Sequence, residues 1–127
     1  PALSKVACDI MDFHSDEQFD VVPLFGVVNF IDAVDESLLY GRIKSLLAPG
    51  GVFLLKNQCG IDQEVAVDRY SEELGQHYVA RYPWHIGQQQ RLEAYFDVEK
   101  VDIYPKSINR WPDTHFYAFT CTAKMDT

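Results

Sequence analysis

The sequence predicts an α/β fold in which parallel strands with flanking helices are finished by an antiparallel strand pair. Three observations carry that expectation. A helix-spaced segment at residues 35–48 stops at Pro49-Gly50-Gly51, a continuous apolar run at 52–55 follows at once, and residues 96–104 and 115–124 alternate apolar with polar side chains. Strand, helix, turn and buried strand together make a βαβ unit, whose crossover is almost always right-handed.

Taken in order, residues 4–8 carry Val6 and run into Asp9, which reads as a short strand with a polar stop. Phe19-Asp20-Val21-Val22 opens a second extended run reaching about residue 28. Pro23 lies inside that run and has no N–H to donate, so the strand should be short, bulged or near a sheet edge. In 35–48 the residues Leu38, Leu39, Ile43, Leu46 and Leu47 recur at helical spacing, with Asp35 placed to accept from the first free backbone amides. Pro49 keeps Ala48 out of helical dihedrals, and Gly50-Gly51 can take the left-handed turn that follows a helix. The run 52–55 shows no alternation, which predicts a strand covered on both faces. The polar and aromatic stretch after it reads as helices over 64–79 and 87–95, with Gln88-Gln89-Gln90 as a solvated helix start. Val98, Val101 and Ile103, then Phe116, Ala118 and Thr120, mark the last two strands, joined by a loop with Pro105, Asn109 and Pro112.

With 127 residues, 47% of them apolar, the chain has enough material for one domain, 1–127, with a real core. Nineteen acidic against eleven basic residues give a formal charge of −8. The basic residues are scattered singly, so the composition excludes a broad phosphate-binding surface and with it a nucleic-acid partner. No apolar run approaches the length of a membrane span, and residues 1–5 do not form an export signal, so no membrane partner and a cytoplasmic location are expected. Cys8, Cys59 and Cys121 are odd in number, widely spaced and outside any CxxC pattern, which predicts small buried hydrophobes rather than a disulfide framework or a metal site.

Phe19-Asp20-Val21-Val22, Val27-Val28-Asn29-Phe30-Ile31-Asp32 and Leu46-Leu47-Ala48-Pro49-Gly50-Gly51-Val52-Phe53-Leu54-Leu55 stand in an order that resembles the second half of a class I S-adenosylmethionine-dependent methyltransferase. That family has an FDxV strand, a loop, a helix ending in LLxPGG, a strand, a substrate-facing variable segment and a terminal antiparallel pair. The resemblance runs from about residue 5 to the end and makes the chain the carboxy-terminal portion of this Rossmann-like fold. It implies S-adenosylmethionine as cofactor and direct methyl transfer to a small-molecule or other non-nucleic-acid acceptor. One departure is plain. Glycines stand only at 26, 41, 50, 51, 60, 75 and 87, so no GxG turn exists with which backbone amides could approach the cofactor closely. Two strands and two helices of the standard fold would precede Pro1, and the chain alone is expected to be inactive and to bind cofactor weakly or not at all. The Phe19 strand then loses its usual neighbour, and its open edge calls for cover by the 4–8 strand or by a second copy in a homodimer. A noncatalytic half-Rossmann binding or assembly module is the reading from another class.

The resemblance also carries over site residues. Asp9 takes the place whose carboxylate accepts from the adenine amino group, with Asp12 as a rival and a plain turn as the alternative; Ile10 supplies the neighbouring backbone amide. Phe25, Gly26 and Asn29 belong to the loop that passes the sulfonium and the acceptor, while core packing of Phe25, Val27 and Val28 is the other reading. Tyr82, Trp84 and His85 fall where relatives build the acceptor pocket. His85 is a candidate general base there, against a packed aromatic patch. His77, His85 and His115 with Cys59 match no metal-ligand spacing, and no metal is expected.

Overall fold

The computed structural model describes residues 10–103, 105, 109 and 111–124. The predicted strand at 4–8 and Asp9 lie outside them. Phe19–Phe25 forms β1, Ala33–Leu46 forms α1, and Leu47–Gly60 forms β2 without an intervening loop. Asp32, rather than Asp35, caps α1: its side chain accepts from the Asp35 amide at 2.8 Å, and Asp35 sits in the first turn, where its charge complements the helix dipole. The helix buries Glu36, Leu39, Tyr40, Ile43 and Leu46, a stripe at helical spacing, while Leu38 is exposed.

β1 and β2 run parallel, with Val22 opposite Phe53 and Leu24 opposite Leu55. Phe19 faces Leu47 but Val21 already faces Val52, so the Pro49-Gly50-Gly51 turn bulges out of the ladder. Gly50 holds φ +77°, and a Cβ on Gly51 would stand 2.8 Å from the Ala48 carbonyl oxygen and 3.0 Å from that of Phe19. Only glycine fits both places. Among the described residues β1 stands at the edge of the sheet, one of the places that Pro23 allowed.

The segment 64–79, expected as a helix, is instead the hairpin of Val65–Ser71 (β3) and Gln76–Tyr82 (β4). Gly75 at φ +65° and the Ser71 hydroxyl, which accepts from the Leu74 amide at 3.3 Å, make its turn. Val65, Val67 and Val79 are β-branched residues suited to the pleated surface, and that preference prevails over the helical spacing of the charges. His85–Glu93 (α2) leads to Phe96–Asp102 (β5) and Thr114–Ala123 (β6). β6 enters antiparallel between β2 and β5, giving the order β1-β2-β6-β5.

Both helices cover one face of this sheet. Phe53, Leu55, Asn57 and Cys59 point into it and are at most 1% exposed, and the rings of Tyr40 and Phe96 lie 6.1 and 5.6 Å from that of Phe53. The alternate residues of β2 face outward: Leu54 is 36% exposed, and Val21 on β1 is 53% exposed. The expectation of a central strand covered on both faces is therefore corrected. Its continuous apolar run reflects two apolar faces, of which these elements cover one. Among the described residues no helix is long and apolar enough to cross a membrane.

Candidate functional site

In open α/β sheets ligands bind outside the carboxyl ends of the parallel strands, where loops diverge and backbone groups are left unpaired. Here those ends are Phe25 and Gly60, and three segments meet beside them: the loop 26–32, the start of β3 and the end of β4. Gly26 turns the chain out of β1 at φ +78° while its amide donates to the Lys56 carbonyl at 2.9 Å. A Cβ there would meet nothing within 4 Å, so conformation rather than crowding requires the glycine. Phe25 is 62% exposed, with the Lys56 ammonium 5.9 Å from its ring centroid, whereas Val28 is fully buried in the core.

Asn29 is nearly buried, and its amide nitrogen donates to the Gln58 and Arg81 carbonyls, each at 2.9 Å. Both amide hydrogens are thereby committed, and the residue clamps the loop against β2 and the hairpin. Between loop and hairpin lies a cleft of about 340 Å³ lined by Asn29, Phe30, Ile31, Asp32, Val67 and Val79 among others. At the end of β2 a Cβ on Gly60 would fall 1.7 Å from the Gln63 carbonyl oxygen, so β2 can hand over to the hairpin only through glycine.

Behind the cleft stands a buried polar network that no motif announces. Glu36 on α1 is fully buried and accepts from Arg81 Nη2 at 2.6 Å, Arg91 Nε at 2.9 Å and the Tyr40 hydroxyl at 2.8 Å. Arg81 also donates to the Ile31 carbonyl at 2.9 Å and to Glu64 at 2.8 Å. Burial opposes its charge, yet the Glu36 and Glu64 carboxylates hold the guanidinium above the ordinary arginine value. Gln88, expected as part of a solvated helix start, is fully buried instead: it donates to Asn57 Oδ1 at 2.8 Å and to the Tyr40 hydroxyl at 3.0 Å, and accepts from Asn57 and from Cys59 Sγ. Burial first, and then the Glu36 charge, push the Cys59 thiol up to about 12 and the Tyr40 phenol well above its usual value. The network locks α1, α2, β2 and β4 in one arrangement and so fixes the cleft. The place of Glu36 three and four residues before Leu39 and Tyr40 on the apolar stripe was the one sequence signal for it; Arg81 and Arg91 had none.

The aromatic cluster disperses. Tyr82 closes β4, with burial and then Tyr78 raising its phenol to about 12. Trp84 precedes α2 and is 36% exposed. His85 stacks on Tyr117 at 4.5 Å and 8°, with Lys100 Nζ 2.8 Å from its Nδ1. A lysine ammonium can only donate, so in this contact Nδ1 accepts. None of the three lines the cleft. The Tyr117 hydroxyl is buried without a hydrogen-bond partner among the described residues, and burial, then the charges of Asp102, Cys59 and Asp62, push it up to about 12. Ile10 opens a short 3₁₀ turn with Asp12 and packs on the core.

No family model and no curated protein matches the sequence. Solved structures do. The DhpI complex with S-adenosylhomocysteine is 21% identical over 90% of this chain and 52% of its own, with a TM-score of 0.66. The glycopeptide N-methyltransferase MtfA complexed with S-adenosyl-L-homocysteine is 17% identical over 94% of this chain and 60% of its own, at 0.66. The PH0226 protein from Pyrococcus horikoshii OT3 is 12% identical, covering 94% and 58%, at 0.70. The chain thus spans little more than half the length of the solved structures it matches.

Proposed function

Because this chain has a class I methyltransferase fold, over part of that fold's length, we propose that it is the carboxy-terminal portion of an S-adenosylmethionine-dependent methyltransferase. The complete domain transfers a methyl group to a small-molecule, non-nucleic-acid acceptor. The observation that carries the reading is the sheet order β1-β2-β6-β5, with the last strand entering antiparallel beside a parallel pair. Bound S-adenosylhomocysteine in DhpI and MtfA supports the cofactor, and the charge of −8 disfavours an acceptor that is itself a polyanion.

In this reading Asp9 and Ile10 hold the adenine, and Phe25 and Gly26 pass beside the sulfonium. Asn29 keeps that loop in place. Tyr82 and Trp84 meet the part of the acceptor that extends beyond the cleft, and no base is assigned to His85, which lies outside the cleft and is held by Tyr117 and Lys100. Alignment of nucleophile, methyl carbon and sulfur supplies most of the rate, so a base is a secondary contributor. The test is the reading frame upstream of Pro1. A strand and a GxGxG turn encoded there, in a longer chain that binds S-adenosylhomocysteine at micromolar strength, is the expected result; a frame without them removes the enzyme reading.

The edge of β1, which no described strand covers, favours the second reading, a noncatalytic module assembled through that edge, with a second copy as the simplest occupant. Sedimentation velocity separates the cases. A dimer that a Val21→Lys change converts to monomer supports pairing through the edge, and a monomer at all concentrations removes it.

A further inference from the structure

We propose that the cleft between loop 26–32 and the β3–β4 hairpin binds the acceptor through an apolar group that carries a protonated amine. This rests on the methyltransferase reading and adds the substrate class. The volume, about 340 Å³, lies at the small end for ligand sites and suits a single ring or a short branched chain. Phe30, Ile31, Val67 and Val79 supply apolar surface; Phe30 and Val79 are 63% and 59% exposed. Such surface has an affinity for an apolar guest wherever the guest removes it from water.

The net charge at the cleft is negative. Asp32, Glu64 and Asp68 line it, and Arg81 is its basic lining residue. Arg81 gives its Nε to the Ile31 carbonyl, one terminal nitrogen to Glu64 and the other to Glu36, so its charge is spent on carboxylates and not directed at a ligand. Asp32 commits Oδ1 to the helix cap, and Asp68 pairs with His77 outside the cleft, yet each keeps its negative charge at the rim. An anion entering here meets uncompensated repulsion, a neutral guest gains only the apolar contact, and a cation gains both. The rim selects the acceptor in its protonated form; before the nitrogen lone pair can attack the methyl carbon, the ammonium must give its proton to water, a step that the rim's charge does not itself assist.

The experiment is an amide-resolved NMR titration of the chain at low salt and pH 7 with three probes of one shape: 2-phenylethylamine, 2-phenylethanol and phenylacetate. The expected result is that shifts cluster at Ile31, Ala66, Val67 and Ala80, with the amine bound about fivefold tighter than the alcohol and the carboxylate weakest. Asp32→Asn with Asp68→Asn removes two charges while asparagine preserves the helix cap, and should bring the amine to within about twofold of the alcohol without changing the alcohol itself. Equal binding of amine and alcohol, preference for phenylacetate, shifts elsewhere, or an amine preference that survives the double change would each overturn the proposal. S-adenosylhomocysteine added to the same sample reports separately at Gly26 and Val28. A response there without an amine preference sinks the substrate class and leaves the enzyme; the reverse result retains an amine-binding cleft and removes the cofactor.

Discussion

The two faces of the sheet carry similar side chains and live in different solvents. On the inner face Phe53, Leu55 and Cys59 are at most 1% exposed beneath α1 and α2. On the outer face Val52, Leu54 and Val21 are equally apolar but no described helix or strand lies over them, and Leu54 is 36% exposed. Hydrophobic content therefore fixes that β2 is a strand, while the elements packed on it decide which half of its apolar surface contributes to stability. The outer face has the composition of an interior surface, which accords with a chain spanning little more than half of its structural neighbours.

The difference between the faces can be measured. Phe53→Ala should cost about 4 kcal/mol in urea denaturation, since it empties a site between the Tyr40 and Phe96 rings. Next comes Glu36→Gln, at about 3 kcal/mol, because the partly buried Arg81 and Arg91 would lose the buried carboxylate that both address. Replacing both arginines together with Glu36 by apolar residues should recover much of that loss, which a simple cavity effect would not allow. Asn29→Ala is expected to cost about 2 kcal/mol through the loss of its donations to the Gln58 and Arg81 carbonyls, of which Gln58 keeps the Asn57 amide as a donor, and to loosen the loop before it unfolds the sheet.

Smaller again, for each group and each pH unit, is the alkaline effect, also a property of the inner face. Burial raises the Cys59 and Cys121 thiols from 9.0 to about 12, and burial first, then neighbouring acidic groups, raises the Tyr117 phenol from 10.0 to about 12. Below pH 9 all three are protonated in both states and their contribution is fully present. Between about pH 9 and 12 the unfolded chain releases protons that the folded chain retains, so stability should fall with rising pH, by up to about 1.4 kcal/mol per unit for each group. Flat stability across that window would contradict the burial. Leu54→Ala should have the least effect, about 0.5 kcal/mol, and a cost like that of Phe53→Ala would show that the outer face is covered in solution.

What was legible in the sequence follows the range of the interactions that decide it. The α1 stop at Pro49-Gly50-Gly51, the edge position of β1 and the terminal antiparallel pair depend on local dihedrals and donors, and each is seen. The hairpin at 65–82 was missed because its polar and charged residues suit a helix nearly as well, and the deciding features are the Gly75 turn and contacts with Asn29 from the other side of the fold. Gln88 was misplaced for a related reason: its partners Asn57 and Tyr40 come from elements 31 and 48 residues away, and only the folded chain brings them to it. Of the site, Gly26 and Asn29 were singled out only as members of the loop that the resemblance carried over, and neither the left-handed turn at Gly26 nor the clamp that Asn29 forms was legible. The grouping of Tyr82, Trp84 and His85 was read from adjacency in sequence, and the strand-to-helix junction points them in different directions.

The central claim, that this fold presents part of a cofactor site at the end of β1, is tested most directly by titrating the chain with S-adenosylhomocysteine while following backbone amides. The account predicts shifts that begin at Gly26 and Val28 and do not saturate below millimolar ligand. Saturation at micromolar ligand, or no response of that loop at any concentration, would contradict it.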